Sequence, residues 1–249
     1  MDHWFAVAPP KGGEAHWRTG RSARELADAW CGSAGPCVPD EVDQLLRSHP
    51  DLVDVIVERA FPEQQIRFDD LRGEPRNADL AIEARDRNGV VAITIEGKAD
   101  ESFDRRVSAV LQSAVERIAT DERTAAIVRA ESLSAALLPA WRTGLAHLGG
   151  LRYQLLTGIA GTLAWAQEIG ATRAVFAVHE FVTDHSRDGK HAQNASDLNL
   201  FVERLSDGVI CTLSPGILVG PVRVSGNERI PSLPLYIGKA VRKTRVAHS

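Results

Sequence analysis

The sequence predicts a single α/β domain, and three observations predict it. The apolar spacing changes from helical to strand-like near residue 65 and back to helical near residue 105. Asn88-Gly89 separates two β-rich runs, the favoured chemistry of a tight hairpin turn. No internal repeat or low-complexity linker divides the 249 residues, and an apolar fraction of 44% is enough for a core of that size.

The elements follow in order. Residues 17–30 carry Trp17 and Trp30 with Ala23, Leu26 and Ala27 between them, an amphipathic helix that stops in the breakers Cys31-Gly-Ser-Ala-Gly-Pro36. A second helix starts at Pro39-Asp40 with Val42, Leu45 and Leu46 on one side. Residues 52–60 read as a further helical series that ends before Pro62. Strand patterns come next, over 66–68, 79–85 and 90–96. Helical patterns return over 105–119 and 153–169, followed by a buried-looking strand at 174–182 and an amphipathic helix at 196–205. A strand at 217–224 and a short edge strand at 234–237 complete the set, and Arg242-Lys-Thr-Arg245 reads as a solvated basic tail. The domain then divides into a helical N-terminal extension (1–40), a core (41–182) and a C-terminal helix with strands (183–249).

Several function classes are excluded or disfavoured. No segment has the length of a transmembrane span, and residues 1–10 lack the basic and apolar regions of a signal peptide, so no membrane association and a cytoplasmic location are expected. Cys31, Cys37 and Cys211 have no paired spacing and read as reduced thiols. A net charge of −4 excludes a basic coat but not a local basic groove. His179, His185 and His191 lie in and before a polar loop over 183–194, at a six-residue spacing that fits neither a helix face nor a strand face, and read as separate structural or surface residues and not as a metal site. Gly158 and Gly161 form no phosphate-binding fingerprint and read as close-packing positions on a helix; a Gly-x-Ser-x-Gly elbow is missing.

The chemistry concentrates on the hairpin. With Asn88 and Gly89 as the loop, outward counting places Asp79 opposite Lys98; with a four-residue loop, 86–89, it places Asp79 opposite Glu96. In both registers Asp79, Ala81 and Glu83 share a face with Thr94, Glu96 and Lys98, while Val91, Ile93 and Ile95 point the other way to pack on a helix. Two carboxylates and an ammonium on one patch suit phosphodiester hydrolysis. Asp79 and Glu96, with the Gly97 carbonyl, offer hard oxygen ligands to Mg²⁺ or Mn²⁺. Lys98 then either handles the attacking water or stabilises charge in the transition state. Arg105 and Arg106 read equally as phosphate contacts or as a solvated helix start.

This pattern, an Asp on one strand and Glu-x-Lys on the next, resembles the PD-(D/E)XK nuclease superfamily, with Ala78 standing where the proline of that name would be. The resemblance implies a restriction-endonuclease-like core, a central mixed β-sheet flanked by helices. It implies an acidic helper on the first core helix, for which Glu58 is the candidate, and a glutamine after the strands, for which Gln154 is. More narrowly, Glu96-Gly-Lys-Ala-Asp-Glu-Ser-Phe103, Arg152-Tyr-Gln-Leu-Leu156, Leu235-Tyr-Ile-Gly238 and His16-Trp-Arg with Trp30 look like an uncharacterised bacterial family assigned to that superfamily. The implied activity is metal-dependent cleavage of nucleic acid, DNA first, in restriction, repair or phage defence. The alternatives are a non-cutting module that binds nucleic acid or a protein partner, a homodimer among them, and a hydrolase of a small phosphorylated molecule.

Overall fold

A computed structural model describes residues 17–32, 35–138, 148–184 and 186–244, together with Trp4 and Pro9. His16, His185 and Arg245 lie outside the described residues. The described helices are α1 (Ser22–Trp30), α2 (Asp40–Arg47), α3 (Val107–Ala119), α4 (Ala126–Leu137), α5 (Tyr153–Glu168) and α6 (Asp188–Leu205). A two-stranded ribbon, β1 (Cys31–Gly32) and β2 (Gly35–Pro36), follows α1. The main strands are β3 (Ile56–Ile66), β4 (Arg76–Asp86), β5 (Gly89–Lys98), β6 (Arg173–Thr183), β7 (Leu218–Val222) and β8 (Leu235–Thr244).

The six main strands form one mixed sheet in the order β3-β4-β5-β6-β8-β7. The pairs β3/β4, β4/β5 and β7/β8 are antiparallel, while β5/β6 and β6/β8 are parallel. An α/β architecture with a central mixed sheet flanked by helices is therefore present. Helix α5 covers one face: Leu155, Leu156, Ile159 and Leu163 share a core cluster with Ala92, Ala174 and Phe176. Helices α1 and α2 cover the other, where Leu26, Trp30, Leu45 and Leu46 pack with Leu80, Ile82, Val91, Ile93 and Ile95. Burial on both sides explains why β5 reads as a continuous apolar run.

Small residues on α5 let it lie close to the sheet. A Cβ on Gly158 would meet the Phe176 ring at 2.8 Å, and one on Gly161 would meet Arg76 Cγ at 3.1 Å. The buried Thr94 and Thr162 hydroxyls, 2.5 Å apart, and the Trp165 indole N–H, which donates to the Ile82 carbonyl at 3.2 Å, fix the helix on the sheet.

The hairpin register is the one expected for the longer loop, with Arg85↔Val90 and Leu80↔Ile95, although the ladder closes one step further, at Asp86↔Gly89. Asp86 Oδ1 accepts the Asn88 N–H at 2.8 Å, and Gly89 adopts φ 122°, a conformation glycine tolerates. Arg173 of β6 grips the same Asp86 through two bonds, of 2.5 and 2.9 Å, so the turn is anchored to the neighbouring strand.

Three sequence expectations are corrected, and one helix is added. Residues 56–60 are strand, not helix: the apolar positions at 52, 53, 55, 56 and 57 imitate a helical period, and Pro62 is tolerated because β3 is an edge strand. Residues 188–194 belong to α6, which begins eight residues before the expected 196. The 234–237 segment is the start of β8, which runs to Thr244 and lies inside the sheet, so Arg242 belongs to a strand and bonds Glu41 at 2.6 Å. Helix α4 was not read from the sequence; its surface is mixed and its apolar face is narrow, with Ala130, Leu133, Ala136 and Leu137 buried.

Candidate active site

Strand β5 ends in Glu96-Gly97-Lys98, where its parallel partner β6 supplies Val178, His179 and Glu180. Glu96 is 1% exposed and Lys98 4%, so both charges are buried and must be compensated. Lys98 Nζ donates to Glu96 Oε1 at 2.8 Å and stands 5.3 Å from the centre of the Phe103 ring. Gln154, in the first turn of α5, donates through Nε2 to the same carboxylate oxygen at 2.6 Å, and its own Oε1 accepts the Asp104 N–H at 3.2 Å. Arg76, the first residue of β4, donates to the other oxygen, Glu96 Oε2.

Asp79 reaches the group differently from the expected face count. Ala78 and Ala81 both lie on the α5 side of the sheet while Leu80 lies on the opposite side, so side-chain alternation slips by one residue at Asp79. The neighbouring strand has the matching irregularity: Pro62↔Leu80 and Gln64↔Ala78 pair, and between them Glu63 has φ 52°. The Asp79 carboxylate consequently turns to the backbone, where Oδ2 accepts the Gly97 N–H at 2.8 Å. A Cβ at Gly97 would sit 3.5 Å from both Asp79 Oδ2 and Ser22 Cβ, so Asp79 and α1 close over the strand here at van der Waals distance.

The electrostatics divide the carboxylates. Burial pushes Glu96 upward, but the charges of Lys98 and Arg76 and their hydrogen bonds outweigh it and hold its pKa below the usual range. Burial likewise pulls Lys98 down, and Glu96 and Asp79 outweigh that, so the ammonium keeps its proton. Asp79 is pushed up to about 8, first by burial and then by repulsion from Glu96. Glu63 is pushed up to about 7 by burial, against a bond from Asn77 and with added repulsion from Glu96. Three carboxylates thus face two cations.

Asp79, Glu96, Gly97, Lys98 and Gln154 are therefore brought together, with Gly97 using its N–H in the contact described. Glu58 is not. It lies on β3, half-exposed and paired with Arg85 at 3.3 Å, five residues or about 16 Å along the strand from Glu63. Glu63 and Arg76 escaped the sequence reading. Recognising residues 56–66 as a strand paired with β4 would have set Glu63 opposite Asp79.

A groove of about 950 Å³ lies beside the group: Glu63, Arg76 and Gln154 line it together with Asn77, Arg129 and Tyr153, with Pro62, Pro75 and Phe68 as apolar wall, while Asp79, Glu96 and Lys98 lie behind that lining. Among the described residues, no three His, Cys, Asp or Glu side chains are arranged to hold a metal. In kind, the oxygen donors of Asp79, Glu96 and Glu63 suit a hard cation, whose charge would favour ionisation of the two carboxyls that burial, and then repulsion from Glu96, holds up. Arg76 meets part of that demand at Glu96.

The exposed Arg105 and Arg106 begin α3; Arg106 forms an isolated bridge with Arg152, and the Arg105 carbonyl accepts the Tyr153 N–H at 3.1 Å, fastening the start of α5. Cys31, Cys37 and Cys211 are free thiols, and among the described residues no helix is long and apolar enough to cross a membrane. Comparison with known proteins gives one match: a family model described as a domain of unknown function (DUF6946) covers residues 1–244. No curated protein and no solved structure matches.

Proposed function

We propose, for a chain that belongs to the DUF6946 family of domains of unknown function and inherits no activity from that name, a metal-dependent nuclease of the PD-(D/E)XK type. The observation that carries this reading is the buried Lys98–Glu96 pair at 2.8 Å, adjoined by Asp79 and joined by Gln154, which also lines the neighbouring groove. Buried charge of this density is costly to a fold, and such costs concentrate where a protein binds or does chemistry. DNA is the first substrate proposed, with RNA tested beside it.

A divalent cation, Mg²⁺ or Mn²⁺, would supply Lewis acidity and an acidified water on binding. Asp79 and Glu96 would hold it, with Glu63 taking the helper's place that the sequence suggested for Glu58. Lys98, kept protonated by its two carboxylate neighbours, stabilises negative charge developing on the phosphate and does not serve as the base. Gln154 holds the orientation of Glu96 through the 2.6 Å bond. Arg76 has to loosen its hold on Glu96 for a cation to enter; its Nε, buried and without a partner among the described residues, is a donor available to a phosphate oxygen.

A second reading is a nuclease-derived module that binds nucleic acid or a protein without cutting. Arg76 favours it, because a guanidinium on Glu96 Oε2 occupies a ligand oxygen. Purified protein incubated with labelled DNA and RNA, with Mg²⁺, Mn²⁺ or chelator, separates the two. Metal-dependent cleavage that disappears in Asp79→Ala and Lys98→Ala is the expected result. Cleavage persisting in both variants overturns the site. Intact substrate under every metal, with tight binding that survives both substitutions, establishes the non-cutting module instead.

A further inference from the structure

Eight buried side-chain polar atoms among the described residues lack a hydrogen-bond partner, and four of them belong to three residues in one region: Glu180 Oε1, both ring nitrogens of His191, and Asn194 Oδ1. Glu180 is on β6, and His191 and Asn194 are three residues apart on α6, hence on one helix face. Glu180 is 4% exposed and Asn194 3%, so bulk water does not satisfy them. Unmet polar groups at that depth cost about 1–3 kcal/mol each, and a cluster of them implies something that binds there.

The geometry indicates what. Glu180 Oε1 and His191 Nδ1 face each other at 3.1 Å, an ion-pair contact when the imidazole is protonated, without forming an aligned hydrogen bond. That is close to the edge of a coordination tetrahedron, about 3.3 Å for bonds of about 2.0–2.1 Å. The remaining atoms are held in place. Lys239 Nζ takes Glu180 Oε2 at 3.2 Å, leaving Oε1 turned to His191, and Asn194 Nδ2 donates to the Glu101 carbonyl at 2.9 Å, leaving Oδ1 without a hydrogen bond. Outer contacts of this kind orient metal ligands.

We propose that Glu180, His191 and Asn194 form a second site, for one transition-metal cation of the Zn²⁺ or Co²⁺ class, with water completing the coordination. It holds two His, Cys, Asp or Glu residues and completes the set with an amide oxygen. Imidazole nitrogen selects this class over Mg²⁺, the ion suited to the carboxylates around Glu96. The ion ties the first turns of α6 to β6 and β8, and through Asn194 to the segment just beyond Lys98. The inference does not depend on the nuclease reading.

The test titrates the metal-stripped full chain with Co²⁺ alone, reading visible absorption and melting temperature. One equivalent is expected to produce a d–d band and raise the melting temperature. His191→Ala should lose both, Asn194→Ala should weaken binding about tenfold, in the range seen on losing supporting groups of a metal site, and Asp79→Ala should retain both. Circular dichroism verifies the fold of each variant, and Asn194→Ala carries the test if His191→Ala does not fold. Absence of a band and of a melting shift in the unsubstituted protein overturns the proposal and leaves a bridging water as the occupant. Binding that survives His191→Ala and Glu180→Gln, or that Asp79→Ala abolishes, overturns it equally.

Discussion

Glu41 and Asp79 belong to two buried charge networks at the same end of the sheet, one on each side of Gly97 and its neighbour His179, and their surroundings move them in opposite directions. At Glu41, burial pushes upward, but His179 Nε2 at 2.7 Å and a two-pronged Arg242 outweigh it, leaving the carboxyl at about 2. His179 is itself pushed down by burial, against the pull of Glu41. At Asp79 burial and the repulsion of Glu96 prevail, and the carboxyl rises to about 8. The first network is compensated and fastens α2 to β6 and β8. The second is over-supplied with anions and contains Glu63 in a strained backbone conformation. A carboxylate left this short of compensation beside one compensated this well is the feature that makes Asp79, and not Glu41, a candidate for chemistry.

Substitutions sharpen that contrast. The largest effect is expected on catalysis: Asp79→Asn should lower cleavage about 100-fold or more, in the range set by losing a group that acts on the reacting centre, while leaving the fold intact by circular dichroism. Glu41→Ala should do the reverse. It leaves the partly exposed Arg242 and the buried His179 Nε2 without their carboxylate and costs about 1–2 kcal/mol by chemical denaturation, with cleavage per folded molecule unchanged. Equal losses of activity in both variants would remove the distinction between the two networks. Gly158→Ala, which drives a methyl group into Phe176, should cost about 2 kcal/mol. Thr162→Val should cost about 1 kcal/mol by removing its bond to Thr94.

The pH dependence distinguishes the networks without touching substrate. Glu41, whose folded pKa is depressed, contributes stability in full above about 4.5 and loses it as the pH falls toward 2. Asp79 and Glu63, whose folded values are raised, favour the folded state most at low pH and lose that contribution as the pH rises through 7 and 8. Melting temperatures of Asp79→Asn should therefore decline less between pH 5 and 8 than those of the unsubstituted protein. Identical slopes would show that Asp79 ionises freely.

Much of this was readable in the residues. Asn88-Gly89 set the hairpin, the apolar run of β5 marked the central strand, and Glu96-Gly97-Lys98 marked its end. Gln154, singled out through the family resemblance as the glutamine on the helix after the strands, lies against Glu96, a contact that the sequence alone does not specify. What escaped depended on tertiary pairing. An edge strand shares too little burial with the core to show a clear period of two, so β3 read as helix, and Glu63 was lost with it. The slip at Asp79 arises from a backbone irregularity shared by two strands, which no count along one strand reveals. Arg76 looks like a surface residue until Gly161 makes room for it under α5.

The order of strands also bears on how the chain comes together. β5 lies at the middle of the sheet, yet its parallel neighbour β6 begins 75 residues after β5 ends, at residue 173 against 98, and β8 comes later still. During synthesis, the hairpin of β4 and β5 exists for a time with apolar faces on both sides and one long edge open to pairing. The group at Glu96 is assembled from residues 63 to 154 and is enclosed once β6 has docked, so no partial chain carries a finished site. Folding slowly through distant contacts is the consequence, and any device that shields the β5 edge in that interval protects the cell and the protein together.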